Sequence, residues 1–418
     1  MRRNTSCSIS RSSSRRCPAS AFSVRLAWNE KANGGSRMKA QRVELFVCPM
    51  ATPADTSGLQ ELADSGKIKP DTLVALVGKT EGTGAHDDWG RVWADVVLRD
   101  WTGKFLGIPP SEVAKQVIFV LSGGCPGVIT PHIAAVTREW VEVPDGSIDS
   151  GHEKMLVVGR AGSDPMPPEE VGRMGQIRKV AEATRRAMAD AGLTDPKDVH
   201  LVMVKVPGLT TSSIKDAESR GKTVVSHDLT FGPEGAGVYA NDAAALGVAM
   251  ALGEVPESSL SDDVVRRDWN LYSEVAMTSS GGEKRHGEVV VFGNSVTSRS
   301  RLRIGHAVTR DFIDAEGVRN ALRAAGLRFS GGLLDETDLS RLVHVFAKSV
   351  IPGSDQIRGQ RITLLDDADA YQIGKALGGM LVASVTGRTT NYVSGGERNS
   401  HQGPPGGNIV AAVVRADD

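Results

Sequence analysis

The chain reads as a mixed α/β protein of the α+β type, built from three homologous units set with pseudo-threefold symmetry around a central β-barrel-like core. Three observations lead there. A β-rich run ending in lysine occurs three times, in LVALVGKTEG (Lys79), HLVMVKVPG (Lys205) and VHVFAKSVIPG (Lys348). Each is answered downstream by serine beside glycine, in VIFVLSGG (Ser122), VAMTSSGG (Ser279, Ser280) and TNYVSGG (Ser394). Helical and strand patterns alternate in blocks along the whole length. Repeats of roughly 20–50 residues usually build solenoids or propellers. These units are far longer, so they point to similar subdomains closing around one axis, which would gather three Ser/Lys pairs in one place.

The first unit covers residues 38–142. RVELFVCPM alternates into a strand, residues 55–66 have capped-helix character, and LVALVGK is a short β-branched run bounded by glycine, as buried strands are. Residues 88–102 carry helical periodicity, Pro110-Ser111-Glu112 resembles a helix start, and VIFVLSGG is a second buried strand. Residues 143–151 (VPDGSIDSG) are turn-rich and read as a linker. The second unit, residues 152–293, opens on the strand EKMLVVGRAG. A long amphipathic helix follows over 169–191, ended by Gly192, then the strand HLVMVK, an alanine-rich helix over 243–252, and the strands LYSEVAMTSSGG and EVVVFGNS. The third unit, residues 299–418, runs RIGHAV, a helix over 315–325, LVHVFAK, a helix over 370–383, NYVSGG and the strand NIVAAVVRA. Residues 1–37 are rich in Ser and Arg and read as a disordered leader or a mis-called start, because Met38 opens naturally into the first strand. A transit-like segment is the alternative on composition.

At 418 residues the chain is long enough for two or three domains and a substantial core. Lys+Arg 49 against Asp+Glu 50 leaves a net charge of -1, so no basic field recruits nucleic acid. A small neutral or anionic substrate is the better match. No run approaches the ~18 apolar residues of a membrane span. Cys7, Cys17, Cys48 and Cys125 show neither C-x-x-C spacing nor a disulfide framework, which fits a reducing cytoplasm.

A serine hydroxyl is a weak nucleophile until a base takes its proton, and a lysine serves when burial or cationic neighbours lower its pKa. Lysine ends one apolar strand and serine another in each unit, so adjacent strands would bring them within reach. Glycine beside each serine lets backbone N–H groups approach a carbonyl, the makeup of an oxyanion hole. A single copy is most simply a solvated strand end. Three copies are harder to read that way, since no turn requires lysine at the end of an apolar run.

The motifs GKTEGTG followed by Arg91, VLSGG-x-x-GVITPH, VK-x-P-x-LT, S-S-G-x-E before a strand ending in GNS, VFAK, and YVSGG with HQGP-x-GG occur in order across all three units. In them the chain resembles the ring-opening cyclic amidohydrolases, the cyanuric acid hydrolase and barbiturase family, from about Met38 to the C-terminus. The resemblance implies a threefold pseudo-symmetric fold, hydrolysis of an amide bond in a planar cyclic imide, and a homotetramer. By position it makes Lys205 the general base and Ser279 the nucleophile, with Glu283 four residues on fixing the register over Ser280. It gives ring binding to the pairs Lys79/Ser122 and Lys348/Ser394, with Ser122-Gly123, Ser279-Ser280 and Ser394-Gly395 each gripping one ring carbonyl. Arg91 resembles the first of three substrate-contacting cations. Asn241 and Lys375 stand where cyanuric acid hydrolases carry arginine and are closer to barbiturase. A helix N-cap ahead of AAALG is the structural alternative for Asn241.

The resemblance also implies a Mg²⁺ or Ca²⁺ ion beside the third serine loop, held by Glu397, Gln402, Gly403, Pro404 and Gly407. Val350 occupies the place of an expected glutamate ligand, and two extra residues separate SGG from HQGP. No cofactor is required by the chemistry. Cys125, three residues from Ser122, has no charged or histidine partner in sequence and reads as an inert thiol, and His132, His200, His344 and His401 lack metal-ligand spacing. The expectation is therefore a cytoplasmic hydrolase that opens a barbiturate- or cyanuric-acid-like ring through an acyl-enzyme, barbiturate slightly favoured. The alternatives are another cyclic imide, or a non-catalytic binder of small planar molecules on the same scaffold.

Overall fold

Three four-stranded sheets organise the described residues, 37–84, 88–144, 152–328 and 332–417, of the computed structural model. The first holds β1 (Arg37–Pro49), β2 (Leu73–Thr80), β3 (Ile118–Gly123) and β4 (His132–Pro144), with α1 (Ser57–Asp64) and α2 (Trp89–Leu106) between strands. The second holds β5 (Met155–Pro165), β6 (Val199–Pro207), β7 (Ala276–Gly281) and β8 (His286–Ser295), with α3 (Met174–Ala191), α4 (Thr211–Ser219) and α5 (Ala236–Leu252). The third begins with β9 (Leu302–Thr309), α6 (Ala315–Ala324), α7 (Glu336–Arg341) and β10 (Leu342–Val350). After a two-stranded hairpin, β11 (Gln356–Ile357) and β12 (Gln360–Arg361), it closes with α8 (Ala370–Thr386), β13 (Tyr392–Gly396) and β14 (Asn408–Arg415).

One pairing scheme recurs. The strand orders are β1-β4-β2-β3, β5-β8-β6-β7 and β9-β14-β10-β13. In each sheet the first two pairings are antiparallel and the last is parallel. A parallel pair cannot be joined by a tight hairpin and needs a long crossover, usually helical. α2, α4 with α5, and α8 supply it.

Side-chain alternation then gives each sheet two apolar faces. One face of all three contributes to a shared core that includes Val77, Val120, Leu201, Met203, Met277, Phe292, Phe346, Tyr392 and Val413. The opposite faces pack under helices: α1 and α2 on the first sheet, α3 and α5 on the second, α6 and α8 on the third. The sheets meet through these side chains rather than through a continuous ladder. No closed sheet forms among the described residues, so the centre expected to be barrel-like is a packed three-sheet core.

The helix over 169–191 begins at Met174, after a short 3-10 turn at Pro168–Glu170, and stops at Gly192, whose φ of 73° suits glycine. The alanine-rich helix starts at Ala236 rather than 243, because its glycines lower propensity while burial of nearly every residue overrides it. α4, α7 and β4 were not anticipated. In β4 the apolar pattern is broken by Thr137, Arg138 and Glu139, yet the strand pairs on both sides. The expected leader lies outside the described residues apart from Arg37, and the expected linker apart from Val143 and Pro144, which finish β4. No described helix is long and apolar enough to cross a membrane.

Candidate active site

The parallel pairings bring each lysine to its serine. Lys79 stands opposite Ser122, Lys205 opposite Ser279, and Lys348 opposite Ser394. In-register residues of a parallel pair share a face, and counting by twos from core residues shows which face it is. Lys79 follows Val77, Lys205 follows Met203, and Lys348 follows Phe346. Ser122 follows Val120, Ser279 follows Met277, and Ser394 follows Tyr392. All six side chains therefore belong to the inward faces. Ser280, one residue on, belongs to the outward face, where its Oγ donates to the Gly237 carbonyl at 3.1 Å.

The three lysines are 0–1% exposed. Lys79 Nζ donates to Ser122 Oγ at 3.2 Å and to the Gly123 carbonyl at 2.9 Å. Lys348 Nζ donates to Ser394 Oγ at 3.3 Å and, across the sheet seam, to the Thr278 carbonyl at 3.0 Å. Lys205 differs. Its Nζ donates to the Ser280 carbonyl at 2.7 Å and to Leu121 of the first sheet at 3.3 Å, leaving Ser279 Oγ buried without a partner.

Burial disfavours an ammonium, and so lowers all three. Lys205 is brought down to about 7, by burial first and then by the Arg91 guanidinium, with Glu283 opposing. Lys348 also comes down to about 7, mainly by burial, and Lys79 lies well below its ordinary value for the same reason, helped by Lys375. The Glu283 carboxylate lies 3.6 Å from Lys205 Nζ and 2.6 Å from Arg91 Nη1. Although burial pushes it up, Lys205, Arg91 and Lys284 together hold Glu283 well below the usual carboxylate range. Its Oε2 has no hydrogen-bond partner.

A narrow pocket opens where these groups converge. Ser122, Gly123, Ser279, Ser280, Ser394 and Gly395 line it, as do Arg91, Lys205 and Asn241. Lys79, Lys348 and Lys375 stand behind this lining. Lys375, expected to contact substrate, instead donates to the Gly123 carbonyl at 3.2 Å, with Nζ 4.6 Å from the centroid of the Tyr371 ring. Asn241 is the sixth residue of α5, whose N-cap is Gly235, so the capping alternative does not hold. Its buried Oδ1 has no partner. The first serine turn depends on glycine: a Cβ on Gly123 would lie 1.7 Å from Asp88 Oδ2, and one on Gly84 (φ +66°) would lie 2.2 Å from Lys375 Nζ.

Leu121, Gly84, Phe231 and Tyr371 complete the lining and were not foreseen. Phe231 and Tyr371 stack with centroids 5.8 Å apart and planes at 15°. Tyr371 lies four residues before Lys375 on α8, a spacing that puts both on one helix face and was a usable signal. Phe231 comes from an aperiodic loop and gave none. Cys125 donates to the Thr80 carbonyl at 3.3 Å, and burial pushes its thiol up to about 11, the reverse of an activated nucleophile. Two histidine pairs cross between sheets, His132 with His344 at 3.2 Å and His200 with His306 at 2.9 Å, while His401 Nε2 accepts the Arg266 backbone N–H. A wider cleft between Arg310 and Arg358 contains no lysine.

A hydroxyl, a buried amine and flanking Ser-Gly turns are the components of acyl transfer at an amide carbonyl. The chain belongs to the family of amidohydrolase ring-opening proteins, whose model matches residues 44–415. It is 52% identical to a cyclic amide hydrolase of Pseudofrankia inefficax, over 90% of this chain and 95% of that one. It is 40% identical to barbiturase 1 of Nocardioides sp. (89% and 98% covered) and 40% identical to the cyanuric acid amidohydrolase of Pseudomonas sp. strain ADP (90% and 99%). A solved cyanuric acid hydrolase superposes with a TM-score of 0.82 at 39% identity, covering 90% of this chain and 100% of the other. The protein is a hydrolase acting on cyclic amides.

Proposed function

We propose that the protein opens a barbiturate-like cyclic imide by a Ser279/Lys205 mechanism. The observation that carries this reading is the unpartnered Ser279 Oγ, in register with a lysine whose pKa is about 7. Neutral Lys205 takes the Ser279 proton as Oγ attacks a ring carbonyl. The tetrahedral oxyanion is met by backbone N–H donors of the Ser-Gly turns, each typically worth about 3–4 kcal/mol. The C–N bond breaks, the departing ring nitrogen takes the proton back from Lys205, and the acyl group stays on Ser279. Water, deprotonated by Lys205, then releases the opened chain. Lys79/Ser122 and Lys348/Ser394 orient the other carbonyls, and three such pairs, one on each sheet, suit a ring with three carbonyls.

The walls favour barbiturate over cyanuric acid. Asn241 offers a bare acceptor suited to a ring N–H of either substrate, so the preference rests on the stacked Phe231 and Tyr371, which present carbon surface suited to a ring edge that carries carbon. Incubation with barbituric acid, cyanuric acid, hydantoins and other cyclic imides, followed by loss of ring absorbance and detection of opened product, tests both parts. Barbituric acid is expected to open fastest, and Tyr371→Ala to narrow its lead over cyanuric acid. Faster opening of cyanuric acid refutes the substrate assignment. Tight binding of every ring with no product makes the protein a binder instead.

A further inference from the structure

Beside the pocket a single guanidinium ties separate stretches of chain together. The Arg266 side chain is 4% exposed. Its Nη1 donates to Asp242 Oδ2 at 2.7 Å and to the carbonyls of Glu397 and Asn399 at 3.0 and 3.1 Å, and its Nη2 donates to the Pro233 carbonyl at 3.2 Å. The Arg266 backbone N–H donates to His401 Nε2 at 2.9 Å, from a φ of 65° that is costly for a residue with a side chain. Asp242, next to the pocket residue Asn241, also accepts from the Ser400 hydroxyl. Gln402 Oε1 accepts the Thr278 N–H at 2.7 Å, immediately before Ser279, and Gly403 N–H donates to the Ser273 carbonyl at 3.0 Å.

This is the loop for which a Mg²⁺ or Ca²⁺ ion was expected, and its residues do not fit one. Such ions take about six or more oxygen ligands, carboxylates among them. Val350 supplies none, the Glu397 carboxylate lies 3.6 Å from Arg398 Nε, Gln402 Oε1 is committed to Thr278, and the carbonyls at 397 and 399 already face a fixed positive charge. No group of three or more His, Cys, Asp or Glu side chains suited to a metal occurs among the described residues.

We propose that Arg266 is the resident cation of this loop, holding residues 397–407 against the second sheet so that Ser394 and Ser279 face one pocket. It is a positioning residue and touches no substrate. Metal content and melting of the wild-type protein test this without reference to any reaction. The expected result is well below about 0.1 ion per chain, with the same Tm in EDTA as in Mg²⁺ or Ca²⁺. A stoichiometric ion whose removal lowers Tm overturns it. In Arg266→Ala, millimolar guanidinium is expected to raise Tm relative to its effect on wild type, and Mg²⁺ is not. Arg266→Lys should resemble Arg266→Ala, since an ammonium lacks the planar fork that spans a carboxylate and several carbonyls.

The kinetic arm alone rests on the ring-opening reading. KM for barbituric acid in Arg266→Ala should rise about tenfold or more, with a smaller change in kcat, and fall again with guanidinium. An unchanged KM, or rescue by Mg²⁺ in place of guanidinium, refutes the proposal.

Discussion

Replacing Glu283 by glutamine removes the one anion among the described residues within salt-bridge distance of Lys205 and leaves the shape of the pocket almost intact. The Lys205 pKa of about 7 balances burial and Arg91, which lower it, against Glu283, which raises it. At 3.6 Å two unit charges interact by about 4–5 kcal/mol at an effective dielectric of roughly 20. One pKa unit corresponds to about 1.4 kcal/mol, so roughly 3 units is the ceiling for the shift. Relaxation of Arg91, freed from its 2.6 Å bond to Glu283, and entry of water reduce that to about 1–2 units. In Glu283→Gln the pKa of Lys205 therefore falls. The base must be neutral to act, so the acidic limb of kcat/KM against pH, near 7 in wild type, moves to lower pH by the same amount. The plateau falls as well, because a weaker base accepts the serine proton less readily. The assay is barbituric acid opening measured from pH 4.5 to 9. An acidic limb that stays in place or moves to higher pH refutes the assignment of Lys205 as the base.

Ser279→Ala is expected to cut kcat by about a thousandfold or more with little change in Tm, and Ser280→Ala far less, because the Ser280 hydroxyl faces Gly237 rather than the core side. The reverse order would transfer the nucleophile to Ser280. Gly123→Ala places a Cβ 1.7 Å from Asp88 Oδ2; a loss of about 2 kcal/mol or more in stability together with a raised KM is expected by denaturation and kinetics, and an unperturbed protein would show that the first serine turn has room to spare. Acid should destabilise the fold through its histidine pairs. His132 is lowered to about 4, by burial first, against about 6.5 when unfolded. Its contribution is therefore complete above about pH 6.5 and is lost as pH falls toward about 4, amounting to roughly 3 kcal/mol. Urea midpoints measured from pH 8 to 4 should fall less steeply in His132→Asn, and parallel curves would refute the idea.

Much of the candidate site was legible because the spacing of lysine and serine here follows strand chemistry. An apolar run ending in lysine and another ending in Ser-Gly predict two buried strands, and their pairing is what places Lys205 opposite Ser279. Ser279 and Ser280 alternate across their strand, so Ser279 shares the inward face with Lys205 while the Ser280 hydroxyl turns to Gly237. The residues that escaped notice come from segments whose position is set by tertiary packing. Phe231 lies in a loop between α4 and α5, and Lys375 was read as a pocket cation although its ammonium bonds to Gly123 behind the wall. Arg266 carried no local signal at all, since its partners at 233, 242, 397 and 399 are distant in sequence.

Local sequence by itself determined most of the strands and helices, and which lysine answers which serine, because hydrophobic period and glycine placement act over a few residues. Only the tertiary structure decided that three sheets would share one core, that Lys205 would be buried beside Arg91 and Glu283, and that one pocket corner would be aromatic. Those outcomes depend on desolvation and on charges brought together from distant parts of the chain, which no short stretch of sequence contains.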